Sequence, residues 1–320
     1  MTGVRFPRWW RWGVVSLAAV LVLAGCSRAS SPPVSTAVLG SGRSDFPLSV
    51  YRGLGTWVDV FDYVPAFQAN GAPPNFAPES VDDVAGVGVR TLFLQAAIDD
   101  DRGQRPVADA ERVAAIMRRA HALGVAVVAW YLPKFGDVAR DLAIIRGILD
   151  YRVDGRGFDG LALDIEWTED VPDPVARNAA LVDLSREVRN AVGVDRTLGA
   201  IVFPPVQTEV LNRTLWPDFP YRTLGSLYDV WMPMAYWTFR TGDYRDAYRY
   251  TAESIQRLRT NLDDPSTRVA PIGGIGDLAT VADYQAFLKA VRDTRSIGWS
   301  VYDFDTTRSS HWWALRAGPG

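Results

Sequence analysis

Cysteine, histidine and lysine are scarce in this chain of 320 residues, which has one Cys, two His and two Lys. A single Cys cannot form a disulfide within the chain, and so few Cys and His exclude a zinc site built from those ligands. The charges nearly cancel, with 34 Lys and Arg against 37 Asp and Glu. The basic excess typical of nucleic-acid-binding proteins is therefore absent. We predict a folded domain with no metal, no cofactor and no nucleic-acid partner.

The first 26 residues have the pattern of a secretion signal. Three arginines precede an apolar run of eleven residues, 13–23, which is shorter than a bilayer-spanning helix needs to be. The run leads into Leu-Ala-Gly-Cys at residues 23–26, which resembles the lipobox of bacterial lipoproteins. That resemblance implies a signal peptide over residues 1–25 and a lipid on Cys26. An uncleaved membrane anchor with an incidental cysteine is the alternative.

A Ser- and Pro-rich stretch follows Cys26 and is typical of a flexible linker. We predict that residues 26–52 are the lipidated Cys and its tether, and that residues 53–318 form one domain. Such a protein is expected outside the cytoplasm, attached to the bacterial membrane by its lipid. The sequence predicts no protein partner.

Short apolar strands alternate with amphipathic helices eight times after Gly53. The predicted strands are Thr56–Asp62, Thr91–Ala97, Ala126–Pro133, Gly160–Trp167, Thr197–Pro204, Val230–Trp237, Arg268–Gly274 and Gly298–Asp305. The predicted helices are Val81–Val87, Asp109–Leu123, Val138–Tyr151, Pro174–Val192, a short one in Glu209–Tyr228, Asp246–Leu262, Thr280–Asp293 and Ser310–Ala317. A doubly wound open sheet usually has a Gly-rich phosphate turn after its first strand, and this chain has none there. We therefore predict an α/β fold, a single (β/α)8 TIM barrel.

The fourth predicted strand has two acidic residues close together, Asp164 and Glu166. Because side chains alternate along a strand, both carboxylates face the same way as Ala162, into the barrel. Active sites of such barrels lie at the carboxyl ends of the strands. Two like charges this close raise one pKa, which suits a general acid. A solvated acidic pair, or one that binds Arg, is the structural alternative.

The same strand resembles the D-x-x-D-x-D-x-E motif of glycoside hydrolase family 18, the chitinase-like barrels. Asp159, Asp164 and Glu166 match the first, third and last acids, whereas Ala162 stands where the family has its middle Asp. The sixth strand adds a match to the family's M-x-Y in Met234 and Tyr236. Only these two strands match specifically, although the resemblance extends over the whole domain.

The resemblance implies a glycosidase that cleaves β-linked N-acetylhexosamine glycans, such as peptidoglycan or chitin, with retention and substrate assistance. Glu166 is expected to protonate the glycosidic oxygen. Asp164 is expected to stabilise the substrate acetamide, and Tyr236 to bind its carbonyl. Because Ala162 removes a charge partner of Asp164, reduced or absent activity stays open.

Other side chains near strand ends are candidates for binding the glycan. Flat aromatic rings stack on sugars, although any single ring more often packs in the core. Asp59 and Asp62 both fall on the first predicted strand, and one of them could join the acidic site. The candidate substrate-binding residues are Asp159, Met234, Asp62, Tyr131, Trp167, Trp237, Tyr302 and Asp303.

Two other functions are compatible with these residues. A lysozyme-type barrel of glycoside hydrolase family 25 also combines a first-strand Asp with D-x-E on a later strand. A catalytically silent barrel that only binds glycans is the alternative outside enzymes. The D-G opening of the fourth strand and the M-x-Y of the sixth favour family 18 over family 25. Convergence of Glu166, Asp164 and Tyr236 on one open pocket would favour an enzyme over the silent barrel.

Overall fold

The computed structural model describes residues 46–319, which form a parallel β-barrel surrounded by helices. The predicted TIM barrel is confirmed. The predicted signal segment, Cys26 and the tether up to residue 45 lie outside the described residues. Within residues 46–319, no helix has the length and apolar character needed to span a bilayer.

All strands of the barrel are parallel, and their order follows the chain until the sheet closes. The strands are β1 Gly53–Val58, β2 Thr91–Gln95, β3 Ala126–Tyr131, β4 Gly160–Ile165, β5 Leu198–Val202, β6 Val230–Ala235, β7 Arg268–Val269, β8 Ile272–Ile275 and β9 Gly298–Tyr302. The predicted seventh strand is split into β7 and β8, which both pair with β6. Pairing of β9 with β1 closes the barrel.

Helices follow most of the strands and shield the outside of the barrel. They are α1 Val60–Tyr63, α2 Ser80–Gly86, α3 Ala110–Ala122, α4 Val138–Asp150, α5 Pro174–Val192, α6 Tyr221–Gly225, α7 Ala247–Leu262, α8 Val281–Asp293 and α9 Ser309–Arg316. Aspartates cap the starts of α3, α4, α5 and α7, where each carboxylate accepts a backbone N–H of the first turn.

Residues 46–52, hereafter the N-terminal strap, pack against the barrel instead of continuing the predicted tether. The carbonyl of Phe46 accepts a hydrogen bond from the Thr197 amide at 3.0 Å, and Tyr51 is only 2% exposed. The hydroxyl of Tyr51 donates to the carbonyl oxygen of Leu161 at 2.7 Å. The prediction that the tether runs to residue 52 is wrong for this segment, because its apolar side chains close the amino-terminal end of the barrel.

Apolar side chains lie in two layers, one inside the barrel and one between the strands and the helices. On β4, Ala162 belongs to the inner layer, whereas Leu161, Leu163 and Ile165 belong to the outer layer. This is the alternation that the sequence predicts for a barrel strand. It sets Asp164 and Glu166 on the inner face at the carboxyl end of β4.

Candidate active site

The carboxylates of Asp164 and Glu166 lie in the barrel mouth, by which we mean the carboxyl end of the barrel interior. Both are buried, with 7% and 9% of their surfaces exposed. One oxygen of each, Oδ1 of Asp164 and Oε2 of Glu166, is buried without a hydrogen-bond partner in the described structure. No ion pair within residues 46–319 includes either carboxylate, so a salt bridge with Arg does not neutralise them there.

Burial controls the protonation of this pair. Loss of hydration raises the pKa of Glu166 from its ordinary value of 4.5 to about 8. Burial and the charge of Glu166 together raise the pKa of Asp164 well above its usual range. Because two unpaired carboxylates cannot both ionise easily in such a site, the pair keeps at least one proton at neutral pH. A carboxyl group held neutral in this way can donate a proton.

Tyr236, which follows β6, faces the same two carboxylates. Its pKa is raised well above the usual range by burial and then by the charges of Glu166, Asp164 and Asp303. Its side chain belongs to the inner layer together with Met234, which is 4% exposed. The structure therefore brings together Glu166, Asp164 and Tyr236, as their spacing on two strands predicts.

A second acidic group enters the mouth beside β1 and β9. The hydroxyl of Tyr302 donates to Oδ2 of Asp59 at 2.7 Å, and its ring centroid lies 6.0 Å from that of Tyr236. Burial raises the pKa of Asp303 to about 7, with a further contribution from the charge of Asp59. Tyr302 and Asp303 thus lie beside the catalytic candidates.

Ala162 lies beneath this site in an apolar layer. Its neighbour across the sheet is Gly199, where an added Cβ would come within 3.1 Å of both Ala162 Cβ and Tyr51 Cε1. The same Cβ would lie 2.7 Å from the terminal methyl of Met232. The space that a middle Asp would need is therefore bordered by hydrocarbon, which explains why a small apolar residue fits here.

Asp159 does not lie in the mouth, and its predicted role in substrate binding is wrong. It precedes β4, at the amino end of the barrel. Its carboxylate accepts hydrogen bonds from the amide of Val127 at 2.8 Å and the guanidinium of Arg156 at 2.6 Å, and lies 2.8 Å from Nε2 of His121. Asp164 lies five steps further along the chain, at about 3.3 Å for each step in a strand. Its contacts make it a structural residue.

Tyr131 and Trp237 also point away from the barrel mouth, contrary to the prediction that they line the site there. The hydroxyl of Tyr131 donates to Oδ1 of Asp141 on α4 at 2.6 Å. Trp237 is fully buried, with its ring against Tyr284 and Phe287 of α8. Both rings belong to the outer layer. Tyr131 is one residue out of phase with the inward-facing positions of β3, and Trp237 lies beyond the end of β6, in a short 3-10 helix.

The first strand is shorter than predicted, which changes the positions of its acids. It ends at Val58, and Asp59 and Asp62 form a capping box around the first turn of α1. They therefore do not lie on the first strand, as predicted. The amide of Asp59 donates to Oδ2 of Asp62 at 2.9 Å, so both acids are held at the edge of the mouth. Asp62 is thus close to the predicted site, although by a different local structure.

Trp167 lies at the rim, where its indole N–H donates to Asp170 at 2.8 Å and the ammonium of Lys134 lies 5.6 Å from its ring centroid. Its side chain is half-buried, so part of its surface is open to a ligand. Sequence analysis missed Asp305 and Asn75, which are joined at 3.2 Å near Asp62, at the edge of the mouth formed by β1 and β9. The only signal for Asp305 was its position two residues after Asp303.

Comparison with known proteins rests on structure alone. No protein-family profile matches the chain, and no curated protein sequence matches it. A family 18 N-acetylglucosaminidase from Paenibacillus barengoltzii is similar in structure, with 10% sequence identity, a TM-score of 0.57, and coverage of 83% of this chain and 99% of that one. The spore cortex-lytic enzyme SleL of Bacillus cereus has 10% identity, a TM-score of 0.60, and coverage of 82% and 73%.

A third similar structure is the chitinase-like agglutinin of Robinia pseudoacacia, with 13% identity, a TM-score of 0.59, and coverage of 83% of this chain and 99% of that one. At such low identity these likenesses describe the fold and not the activity. They agree with the resemblance that the fourth and sixth strands carry. The chain has the barrel fold found in family 18 chitinase-like proteins.

Proposed function

We propose that the protein is a glycoside hydrolase that cleaves β-linked N-acetylhexosamine glycans by a retaining, substrate-assisted mechanism. The observation that carries this proposal is the buried, cation-free pair of Asp164 and Glu166, which faces Tyr236 in the barrel mouth. Two buried carboxylate oxygens without a donor are costly unless a ligand satisfies them. A glycan with an N-acetyl group supplies both a hydrogen-bond donor, the acetamide N–H, and the atom that Glu166 protonates, the glycosidic oxygen.

Each residue has a distinct role in this mechanism. Glu166, protonated at neutral pH because burial raises its pKa to about 8, donates its proton to the glycosidic oxygen as that bond breaks. The carbonyl oxygen of the neighbouring acetamide attacks the anomeric carbon and closes a cyclic oxazolinium ion. Water then opens this ring and returns a proton to Glu166, so that the configuration is retained.

Asp164 and Tyr236 act on the acetamide. Positive charge develops on the acetamide as the ring closes, and a fixed carboxylate beside it favours that step. This charge also favours the ionised form of Asp164, whose proton is otherwise retained because of burial and Glu166. The hydroxyl of Tyr236 donates to the acetamide carbonyl and aligns it for attack.

A non-catalytic, glycan-binding barrel is the second candidate. The chitinase-like agglutinin of Robinia pseudoacacia has the same fold, and Ala162 replaces one acid of the motif. Against this candidate, Glu166 and Asp164 form no ion pair with an Arg or Lys of the described residues, so both stay available for chemistry. A lysozyme-type muramidase is a third candidate, which the burial of Asp59 at the mouth favours.

The predicted lipid anchor indicates where in the cell the protein acts. We propose that the mature protein is held outside the cytoplasm by a lipid on Cys26, which would put peptidoglycan within reach as the substrate. The N-terminal strap enters at the amino end of the barrel, whereas the carboxylates lie at the other end.

Product analysis by mass spectrometry tests the proposal. The full-length protein in detergent is incubated with N-acetyl-chitooligosaccharides and with purified peptidoglycan, in parallel with Glu166→Gln. Cleavage by the wild type that the variant loses supports a glycosidase with Glu166 as the acid, and the product masses identify the bond. Binding without cleavage by either protein would favour the non-catalytic barrel. Cleavage that persists in the variant would refute the role of Glu166.

A further inference from the structure

A cavity of about 400 Å³ lies beside the mouth, between the carboxyl ends of β1 and β9 and the helices α2 and α9. We call it the acidic cavity. Its volume is within the range of about 300–1,000 Å³ that is usual for small-molecule sites. Its polar walls are Asp62, Asp83, Asp305 and Asn75, and its aromatic walls are Phe76, Phe304 and Trp312.

The aromatic walls form one continuous surface. The rings of Phe76 and Phe304 meet edge to face at 5.8 Å, and those of Phe304 and Trp312 lie 5.7 Å apart. Apolar ring faces beside carboxylate and amide groups are the usual composition of a sugar-binding surface, since a sugar has both C–H faces and polar groups. Phe76 and Trp312 are 2% and 5% exposed, whereas Phe304 is half-buried, so Phe304 is the ring most open to a ligand in the cavity.

A chain of charges joins the acidic cavity to the catalytic candidates. Asp62 lines the cavity, and its pKa is raised well above the usual range by burial and then by the charges of Asp59 and Asp303. Asp59 binds the hydroxyl of Tyr302, whose ring lies against Tyr236. The cavity and the mouth are thus parts of one acidic surface.

The acids of this surface form no ion pair with the described part of the chain, although the whole sequence has 32 Arg. Elsewhere carboxylates pair with Arg, as Asp283 does with Arg245 at 3.1 Å. None of the ion pairs among residues 46–319 includes Asp59, Asp62, Asp303 or Asp305.

Donors are also missing deeper in the mouth. The buried oxygens Asp164 Oδ1 and Glu166 Oε2 have no partner within the described structure. Neither carboxylate lines the acidic cavity. Their free oxygens indicate a ligand with hydrogen-bond donors in the mouth, and a glycan bound there could extend towards the cavity.

We propose that the acidic cavity binds an unacetylated amino sugar through its ammonium group, so that the preferred substrate is a partially N-acetylated glycan. This inference rests on the proposed function. The sugar that is cleaved must keep its acetamide, because that group is the nucleophile. The ammonium must therefore belong to a neighbouring sugar of the same chain. Asp305, which is exposed, and Asp62 are the carboxylates that meet it.

Three chitin-type hexamers test this proposal: one fully N-acetylated, one about half N-acetylated and one fully deacetylated. Initial cleavage rates are measured with the full-length protein. The half-acetylated hexamer should be cleaved about fivefold faster than the fully acetylated one, the effect of roughly one charge-assisted hydrogen bond in a partly exposed site. High salt should reduce this ratio, because it screens exposed charges. The fully deacetylated hexamer should not be cleaved.

Asp305→Asn removes one charge from the cavity, and Asp101→Asn is the matched control. Asp101 is a fully exposed acid on a different loop of the same barrel end, 3.8 Å from Arg140. The ratio of the two rates should fall towards one in Asp305→Asn and stay unchanged in Asp101→Asn. Equal rates on both hexamers with the wild-type protein, or a ratio that Asp305→Asn leaves intact, would overturn the proposal.

Binding separates this inference from the proposed function. Dissociation constants of the three hexamers are measured by calorimetry on Glu166→Gln, which does not depend on cleavage. If no hexamer is cleaved by the wild type but the half-acetylated one binds tighter and Asp305→Asn removes that preference, the subsite stands and the glycosidase fails. If the fully acetylated hexamer is cleaved and binds as tightly as the half-acetylated one, the glycosidase stands and the subsite fails.

Discussion

Replacing Tyr51 with alanine removes the ring that fills the amino end of the barrel. Tyr51 is 2% exposed and belongs to the inner apolar layer. Its hydroxyl donates to the carbonyl of Leu161 at 2.7 Å, and its ring borders the space between Ala162 and Gly199. Since Tyr51 belongs to the N-terminal strap, this change measures how much the strap stabilises the domain.

The cost follows from the two contributions that are lost. Truncating a buried aromatic ring to alanine costs about 3–5 kcal/mol, and the buried hydrogen bond contributes about 1 kcal/mol more. The free energy of unfolding should therefore fall by about 4–6 kcal/mol, a large fraction of the roughly 5–15 kcal/mol that stabilises a typical domain. Tyr51→Phe keeps the ring and should lose only about 1 kcal/mol.

Thermal unfolding followed by circular dichroism measures this effect on the full-length protein. At roughly 2–3 °C per kcal/mol for a domain of this size, the Tm of Tyr51→Ala should fall by roughly 8–18 °C. Tyr248→Ala is the control, because Tyr248 is only half-buried on α7 and contacts Asp293 and Lys289 at the surface. If Tyr51→Ala lowers the Tm no more than Tyr248→Ala does, the strap is not part of the core.

Three further predictions follow from the site. Ala162→Asp restores the family motif but buries a carboxyl group among apolar side chains. The free energy of unfolding, measured by chemical denaturation, should therefore fall by about 3–5 kcal/mol, and the cleavage rate should not rise. A faster variant would contradict the account of the apolar layer. Burial raises the pKa of Glu166 to about 8, so kcat/KM should fall as the pH rises through about 8. The proton on Glu166 also stabilises the folded state: this contribution to the free energy of unfolding is complete below pH 4.5 and is lost as the pH rises to about 8. Glu166→Gln should flatten the stability profile, and an unchanged slope would contradict the assignment. Asp159→Asn should lower the Tm but leave kcat within about twofold, since the contacts that it weakens, to His121, Arg156 and the Val127 amide, lie at the amino end of the barrel.

The catalytic candidates could be predicted from the sequence because strand alternation is strict in a closed barrel. Once the chain from Gly160 onward is a strand, Ala162, Asp164 and Glu166 share a face, and the outer layer takes Leu161 and Leu163. The carboxyl ends of all the strands meet at one end of the barrel, so Tyr236 joins the two acids. Neither the shared face of the two acids nor the position of Tyr236 depends on contacts between residues that are distant in sequence.

The errors arose where the phase or the end of a strand depends on contacts distant in sequence. Trp130 and Tyr131 are adjacent aromatics on β3, and only the barrel decides that Trp130 faces inward. β1 ends early because Asp59 caps a helical turn. The N-terminal strap shows no periodicity, and its position depends on small residues far along the chain, such as Gly199.

The general acid role of Glu166 is tested most directly by changing the leaving group of the substrate. The full-length wild type and Glu166→Gln are compared on an N-acetyl-chitooligosaccharide and on its 4-nitrophenyl glycoside, whose leaving group departs without protonation. The variant should lose about 10²–10⁴-fold in rate on the oligosaccharide bond and keep most of its rate on the aryl bond. Equal losses on both bonds, or no loss on either, would contradict the assignment of Glu166 as the acid.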